Sequence, residues 1–150
     1  MNKERIHTLQ EEVIALLKQL IATPSFSKEE DKTAALLKAF LEGKGCRTEQ
    51  KGNNVWARNQ HFDPAKPTLL LNSHHDTVKP HKGYTLDPFT PLVKEGKLFG
   101  LGSNDAGGPL VSLLATFLYY YHQENLRYNL LFAGTAEEEI SGKNGVESIL

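Results

Sequence analysis

Leu70-Leu71-Asn72-Ser73-His74-His75-Asp76-Thr77-Val78 is the stretch on which the reading of this chain turns. An apolar run stops abruptly at a histidine, and a carboxylate sits two residues further on. Side chains alternate faces along an extended strand, so His74 and Asp76 point the same way and His75 points the other. An imidazole with a carboxylate on the same face can be a metal ligand with its orienting partner. A lone His-x-Asp is more often a satisfied strand-end histidine beside a turn-capping aspartate. Here the pair emerges together at the carboxyl end of an apolar strand, where ligand sites of open α/β sheets lie.

Working outward, Thr68 to His74 is predicted as a strand, and its three leucines predict burial on both faces, as for a central strand. Upstream, Glu4 to Ala22 repeats Ile6, Leu9, Val13, Leu16, Leu17 and Leu20 at helical steps and ends before Pro24. Ser27 and Glu30 have capping-box spacing and predict a helix from there to Gly43, with Ala34, Leu37, Phe40 and Leu41 as its buried stripe. Cys46 to Gln50 and Asn54 to Asn59 read as short strands around a Gly-Asn-Asn turn. Downstream, a loop from Lys79 to Pro91 precedes a hairpin formed by Leu92-Val93-Lys94 and Lys97-Leu98-Phe99 about Glu95-Gly96. Gly107 to Glu124 reads as a helix apolar nearly all round, hence buried, with Pro109 in its first turn. Tyr128 to Thr135 is a second buried strand, and Gly145 to Leu150 begins what reads as a helix. Strands alternating with helices give an α/β layered fold.

With 150 residues, 39% hydrophobic and 23% charged, the chain is about one domain long and can bury a core. A formal net charge of −1 gives no electrostatic reason to expect nucleic acid or an anionic membrane as partner. No apolar stretch approaches the ~18 residues that span a bilayer, and no signal-like segment opens the sequence; a cytoplasmic location is the default expectation. The single cysteine, Cys46, excludes an intrachain disulfide and reads as an ordinary strand residue.

Two more acidic clusters carry chemistry. Asp105 stands in Gly100-Leu101-Gly102-Ser103-Asn104-Asp105-Ala106-Gly107-Gly108. The loop fails as a phosphate cradle: Asp105 occupies a position where Gly-x-Gly-x-x-Gly needs glycine, and no lysine is present. Asp105 is either a helix N-cap or a ligand. Glu137-Glu138-Glu139 directly follow the buried strand ending at Thr135. Adjacent carboxylates repel, and a bound cation removes that cost. One glutamate can bind metal while its neighbour works as general base. His, Asp and Glu donors suit Zn²⁺, with Co²⁺ or Mn²⁺ possible. No Gly-x-Ser-x-Gly elbow supports a serine hydrolase. His81, in the loop after the first motif, reads as a solvated loop histidine.

Ser73 to Val78, Gly100 to Asp105 with Gly107-Gly108, and Thr135 to Glu139 resemble, in order and spacing, the zinc-dependent aminoacylase/carboxypeptidase family. That family includes acetylornithine deacetylase, succinyl-diaminopimelate desuccinylase, aminoacylase and glutamate carboxypeptidase. Ile21-Ala22-Thr23-Pro24-Ser25 also looks like the family's first-helix exit. The resemblance implies the N-terminal portion of a helix–sheet–helix, zinc-exopeptidase-like catalytic domain. It implies that His74 binds one zinc and Asp76 orients it. Asp105 would bridge two zinc ions, with a cis peptide often following it, and Glu139 would bind the second. Glu138 would be the general base for a metal-bridging hydroxide attacking an amide. The favoured reaction is removal of an acyl group from an N-acyl amino acid, acetylornithine-deacetylase-like and so within arginine biosynthesis; a dipeptidase or carboxypeptidase, or a non-catalytic scaffold, is the alternative. The resemblance further implies a homodimer, a lid or dimerisation domain and later ligands beyond these 150 residues, so the isolated chain is expected to be inactive.

Overall fold

Asn2 accepts the Arg5 N–H through its side chain and starts helix α1, Lys3–Ile21, in the computed structural model, which describes residues 2–150. Its buried stripe is Val13, Leu16, Leu17, Leu20 and Ile21. Helix α2, Asp31–Gly43, buries Thr33, Ala34, Leu37 and Leu41, and Phe40 packs at the margin of the core. The expected capping box does not form. The Glu30 side chain makes no cap bond to α2, and Ser27 Oγ donates instead to Asp76 Oδ2 at 2.7 Å. Both groups are drawn away from the helix end by partners distant in sequence.

Strands β1, Thr48–Lys51, and β2, Asn54–Arg58, form a hairpin across Gly52-Asn53. Strand β3 is Thr68–His74; the hairpin strands β4, Leu92–Lys94, and β5, Lys97–Phe99, make a separate two-stranded sheet. Helix α3, Gly108–Tyr120, leads to strand β6, Asn129–Thr135. The main sheet has the order β1-β2-β6-β3, with β6 antiparallel to β2 and parallel to β3. The inner strands are therefore β2 and β6, and β6 is buried almost throughout. The expectation that β3 is central is corrected: it is the edge strand of this sheet, and Leu69 is 48% exposed. Hydrophobicity alone does not say which of two apolar strands acquires two neighbours.

Leu37 of α2 and Leu110 of α3 both approach Gly134 of β6, so the two helices share one face of the sheet. Helix α1 packs outside them, against α3 and α2. Val55, Ala57, Leu130 and Phe132 meet Leu37, Leu114 and Phe117 in the core. Each such buried Val, Leu or Phe side chain is worth ~1.5–3 kcal/mol in transfer free energy. The layered α/β architecture is as expected. Helix α3 is not buried all round, however: Ser112 and Thr116 are exposed and return their hydroxyls to the Gly108 and Ser112 carbonyls. The end of the chain makes only a 3₁₀ turn, Val146–Ser148, rather than the start of a longer helix. Cys46 is buried just ahead of β1, and burial pushes its thiol up to about 11. No helix among the described residues is long and apolar enough to cross a membrane.

Candidate metal centre

Parallel pairing sets the site. His74 is the register partner of Thr135, and the His75 N–H donates to the Thr135 carbonyl at 2.9 Å. The ends of β3 and β6 therefore lie side by side and release their polar residues together. His74 and His75 point to opposite faces, as strand alternation requires. His75 turns inward, with Nδ1 2.8 Å from Thr33 Oγ1 and Nε2 2.9 Å from the Asn53 carbonyl. Burial holds it below the ordinary histidine value, so it is neutral. Its Nε2–H then donates to Asn53 and Nδ1 accepts from Thr33.

His74 turns to the site. Its Nδ1 lies 3.0 Å from the Asp76 carbonyl and 3.3 Å from Asp76 Oδ1. Its Nε2 lies 3.1 Å from Asp105 Oδ1 and 3.5 Å from Glu138 Oε2. Burial works against the charged imidazole, but Asp76, and after it Asp105, outweigh burial and raise His74 to about 9. Asp105 is largely exposed, its side chain at 77%, so water screens its contribution more than that of the buried Asp76.

Asp76 is fully buried and uses both oxygens. Oδ1 accepts the Glu138 N–H at 3.1 Å, and Oδ2 accepts the Glu139 N–H at 3.2 Å and the Ser27 hydroxyl at 2.7 Å. Burial would raise its pKa; His74, Ser27 and the two amides overcome that and lower it to about 2. It is thus a fixed anion beneath the imidazole.

Asp105 reaches the site from the loop Ser103–Gly107 that leads into α3, and the Asp105–Ala106 peptide is cis. Asp105 is not the N-cap of α3; Gly107 is. Glu138 and Glu139 stand on a 3₁₀ turn, Glu138–Ile140, entered through Glu137 at φ +56°. Glu139 is held above the usual carboxylate range by burial first and then by the charges of Asp105, Asp76 and Glu138.

One donor atom each from His74, Asp105 and Glu139 lies within 4.8 Å of the others. The donor set fits a divalent cation on two grounds. Asp76 occupies Nδ1 of His74 and leaves Nε2 facing the carboxylates, as a ligating imidazole requires. The crowding that raises Glu139 is relieved by a positive charge at that point. All five residues singled out from the sequence, His74, Asp76, Asp105, Glu138 and Glu139, are brought together. His81 is not; it is exposed and stacks edge-on with Tyr84. Four further participants are not assigned to the site by the sequence: Ser27, Glu30, Asn53 and Glu137. Glu30 and Glu137 are buried carboxylates; the sequence marks Glu30 only as half of a capping box and Glu137 only as one of three adjacent glutamates. Ser27 had a signal, but the spacing pointed to a helix cap.

A family model described as peptidase family M20/M25/M40 matches residues 70–150, more than half of the chain. Human carnosine dipeptidase 1 has a similar fold over 97% of this chain and 36% of its own, with TM-score 0.73 and 23% identity. A dipeptidase from Saccharomyces cerevisiae matches 91% of this chain and 34% of its own, at TM-score 0.71 and 21% identity. A dinuclear metal-binding peptidase of the M20 family from Bacillus subtilis matches 99% of this chain and 39% of its own, at TM-score 0.68 and 16% identity. The chain thus spans little more than a third of the length of these structures.

Proposed function

This chain belongs to peptidase family M20/M25/M40, and on that premise we propose that it carries the His74–Asp105–Glu139 part of a two-zinc site that hydrolyses the amide bond of a small amino-acid derivative. The observation that carries the reading is the convergence of His74, Asp105 and Glu139 donors within 4.8 Å at the ends of two neighbouring parallel strands. His74, Asp105 and Glu139 would hold a divalent cation there, which would supply Lewis-acid polarisation of an amide carbonyl and of the attacking water.

The chain's own residues supply the rest. Asp76 fixes the ring plane of His74 and, through two backbone amides, the start of the turn that carries Glu138 and Glu139. Glu138 Oε2 stands 3.5 Å from His74 Nε2 and leaves the Glu138 carboxylate beside the donors. Glu138 acts as general base: it takes the proton of the attacking water and returns it to the leaving amine. Asp105 and Glu139 provide the negative charge that retains the cation.

A dipeptide is the favoured substrate class, since proteins of similar fold include dipeptidases. The same chemistry serves an N-acyl amino acid, the acetylornithine-deacetylase-like reading. A metal-free scaffold is the alternative; it gives no reason for His74, Asp105 and Glu139 to bring one donor atom each within 4.8 Å of the others.

Zinc titration of this chain by calorimetry, with Asp105→Ala beside it, tests the metal site. Binding weakened at least tenfold in the variant is expected; equal affinities would overturn the assignment. Kinetic comparison of dipeptides with N-acetyl amino acids, by kcat/KM in a hydrolytically competent zinc-loaded preparation, decides the substrate class. In that preparation Glu138→Gln is expected to lose about 10²–10⁴-fold in kcat while keeping its zinc.

A further inference from the structure

Glu30 is fully buried, and no cationic side chain among the described residues pairs with it. A buried carboxylate without a cation is costly unless donors surround it. Three do. Oε1 accepts the Lys28 N–H at 2.7 Å and the Glu137 N–H at 3.2 Å, and Oε2 accepts Asn53 Nδ2 at 2.7 Å. The side chain does nothing for the helix it precedes, since it makes no cap bond to α2.

The two amides on Oε1 have something in common. Lys28 has φ +76° and Glu137 has φ +56°, a region that non-glycine residues seldom adopt. Each of these residues borders a group that grips Asp76. Lys28 follows Ser27, whose hydroxyl donates to Asp76 Oδ2. Glu137 precedes Glu138 and Glu139, whose amides donate to Asp76 Oδ1 and Oδ2. The hydrogen bonds close a ring: Glu30 to Lys28, Ser27 to Asp76, Asp76 to Glu138 and Glu139, and Glu137 back to Glu30.

We propose that Glu30 is a positioning residue of the metal centre: by holding the amides of Lys28 and Glu137 it fixes both backbones that grip Asp76 and so aims Glu138 and Glu139. This rests on the metal-site reading above. Glu30 touches neither the metal-donor atoms of His74, Asp105 and Glu139 nor the reacting atoms, and acts on them through the backbone.

The test combines cobalt titration, followed by the visible absorbance of the bound ion, with ¹⁵N NMR of the metal-free chain. The variants are Glu30→Gln, whose amide would set a donor against a neighbouring donor, and Asn53→Ala, a milder change that leaves Oε2 unpartnered. Leu41→Ala serves as control, because it empties a core position of the same helix far from this ring. Glu30→Gln is expected to weaken cobalt binding about 10–100-fold and to move the amide signals of Glu137, Glu138 and Glu139. Asn53→Ala should do the same to a smaller extent, and it decides the matter if Glu30→Gln fails to fold. Leu41→Ala, despite a lower Tm, should stay within about twofold of the parent. Losses in the Glu30 and Asn53 variants no larger than in the control, or unmoved amides, would overturn the proposal. A parent chain that binds no cobalt would overturn the metal reading instead, and the amide signals would then decide the role of Glu30 by themselves.

Discussion

Asp76 Oδ2 accepts the backbone N–H of Glu139 at 3.2 Å, across 63 positions of sequence, while Oδ1 of the same carboxylate lies 3.3 Å from His74 Nδ1. One buried anion therefore sets the relative placement of a histidine on β3 and a glutamate after β6. Both are donors of the candidate metal centre. Their mutual geometry does not depend on two independently folded loops.

Asp76→Ala removes that link. It leaves the Glu138 and Glu139 amides without their acceptor and the His74 ring unoriented. The expected cost is about 3–5 kcal/mol of stability, the usual penalty for breaking a buried charge pair. Zinc affinity should fall about 10–100-fold. Urea unfolding and a zinc titration of the same preparation measure both. A loss under about 1 kcal/mol would mean that Asp76 does not organise the site.

The metal-free chain should show a stability maximum near pH 6.5. His74 has its pKa raised from 6.5 to about 9 in the fold. Its contribution is complete below pH 6.5 and disappears as pH rises through 9. His75 has its pKa lowered by burial, so the unfolded chain takes up the proton first and stability falls as pH drops below 6.5. Asp76, lowered from 3.8 to about 2, adds a further loss as pH falls from about 4 toward 2. The shifts of His74 and Asp76 largely describe one ion pair and count once. Urea midpoints from pH 3 to 10 test this, and a profile flat between pH 6.5 and 9 would contradict the His74–Asp76 pair.

Metal must displace the proton on His74 Nε2. Cobalt or zinc affinity should therefore rise about tenfold per pH unit from 6.5 and level off near 9. Titrations at pH 6.5, 7.5 and 8.5 suffice. In His74→Ala the remaining affinity should be weak and lose most of this slope. An unchanged slope would assign the proton to another group.

Gly102→Ala should disturb Asp105 from a distance. Gly102 sits at φ +74°, a Cβ there would lie 2.7 Å from Thr77 Cγ2, and its carbonyl accepts the Gly107 N–H at 2.8 Å. Strain and clash together are expected to cost about 1–3 kcal/mol. Because the loop must shift to relieve them, metal affinity should fall as well. Thermal unfolding read beside a zinc titration checks this; a stability loss with unchanged affinity would show that the Asp105 loop is held independently of Gly102.

Much of the site was legible from local pattern. The apolar run ending at His74, the apolar strand ending at Thr135 and the glycine-bordered Asp105 each announced a polar residue at an element's end. The first two arrive where strand polarity puts them, and Asp105 joins them from the loop that leads into α3. Less of the supporting structure was legible. Ser27 and Glu30 have the spacing of a capping box, but spacing cannot reveal that Asp76 and Glu137 compete for the same groups. The leucines of β3 predicted a central strand, yet two apolar strands look alike until their neighbours are assigned.

The sequence by itself determined the order of strands and helices, the two faces of β3 and the three polar clusters, His74 to Asp76, Asp105 and Glu137 to Glu139, in which the candidate ligands lie. Those follow from periodicity and residue chemistry, which act over a few positions. Only the tertiary structure decided that β6 is an inner strand and that His75 faces Thr33 and Asn53. It likewise decided that Glu30 holds two left-handed amides and that Asp76 joins β3 to the turn after β6. The physical reason is that a buried carboxylate collects whichever donors the packed chain delivers. For Glu30, Asn53 and Glu137 bring such donors from 23 and 107 residues away, beyond the reach of any local pattern.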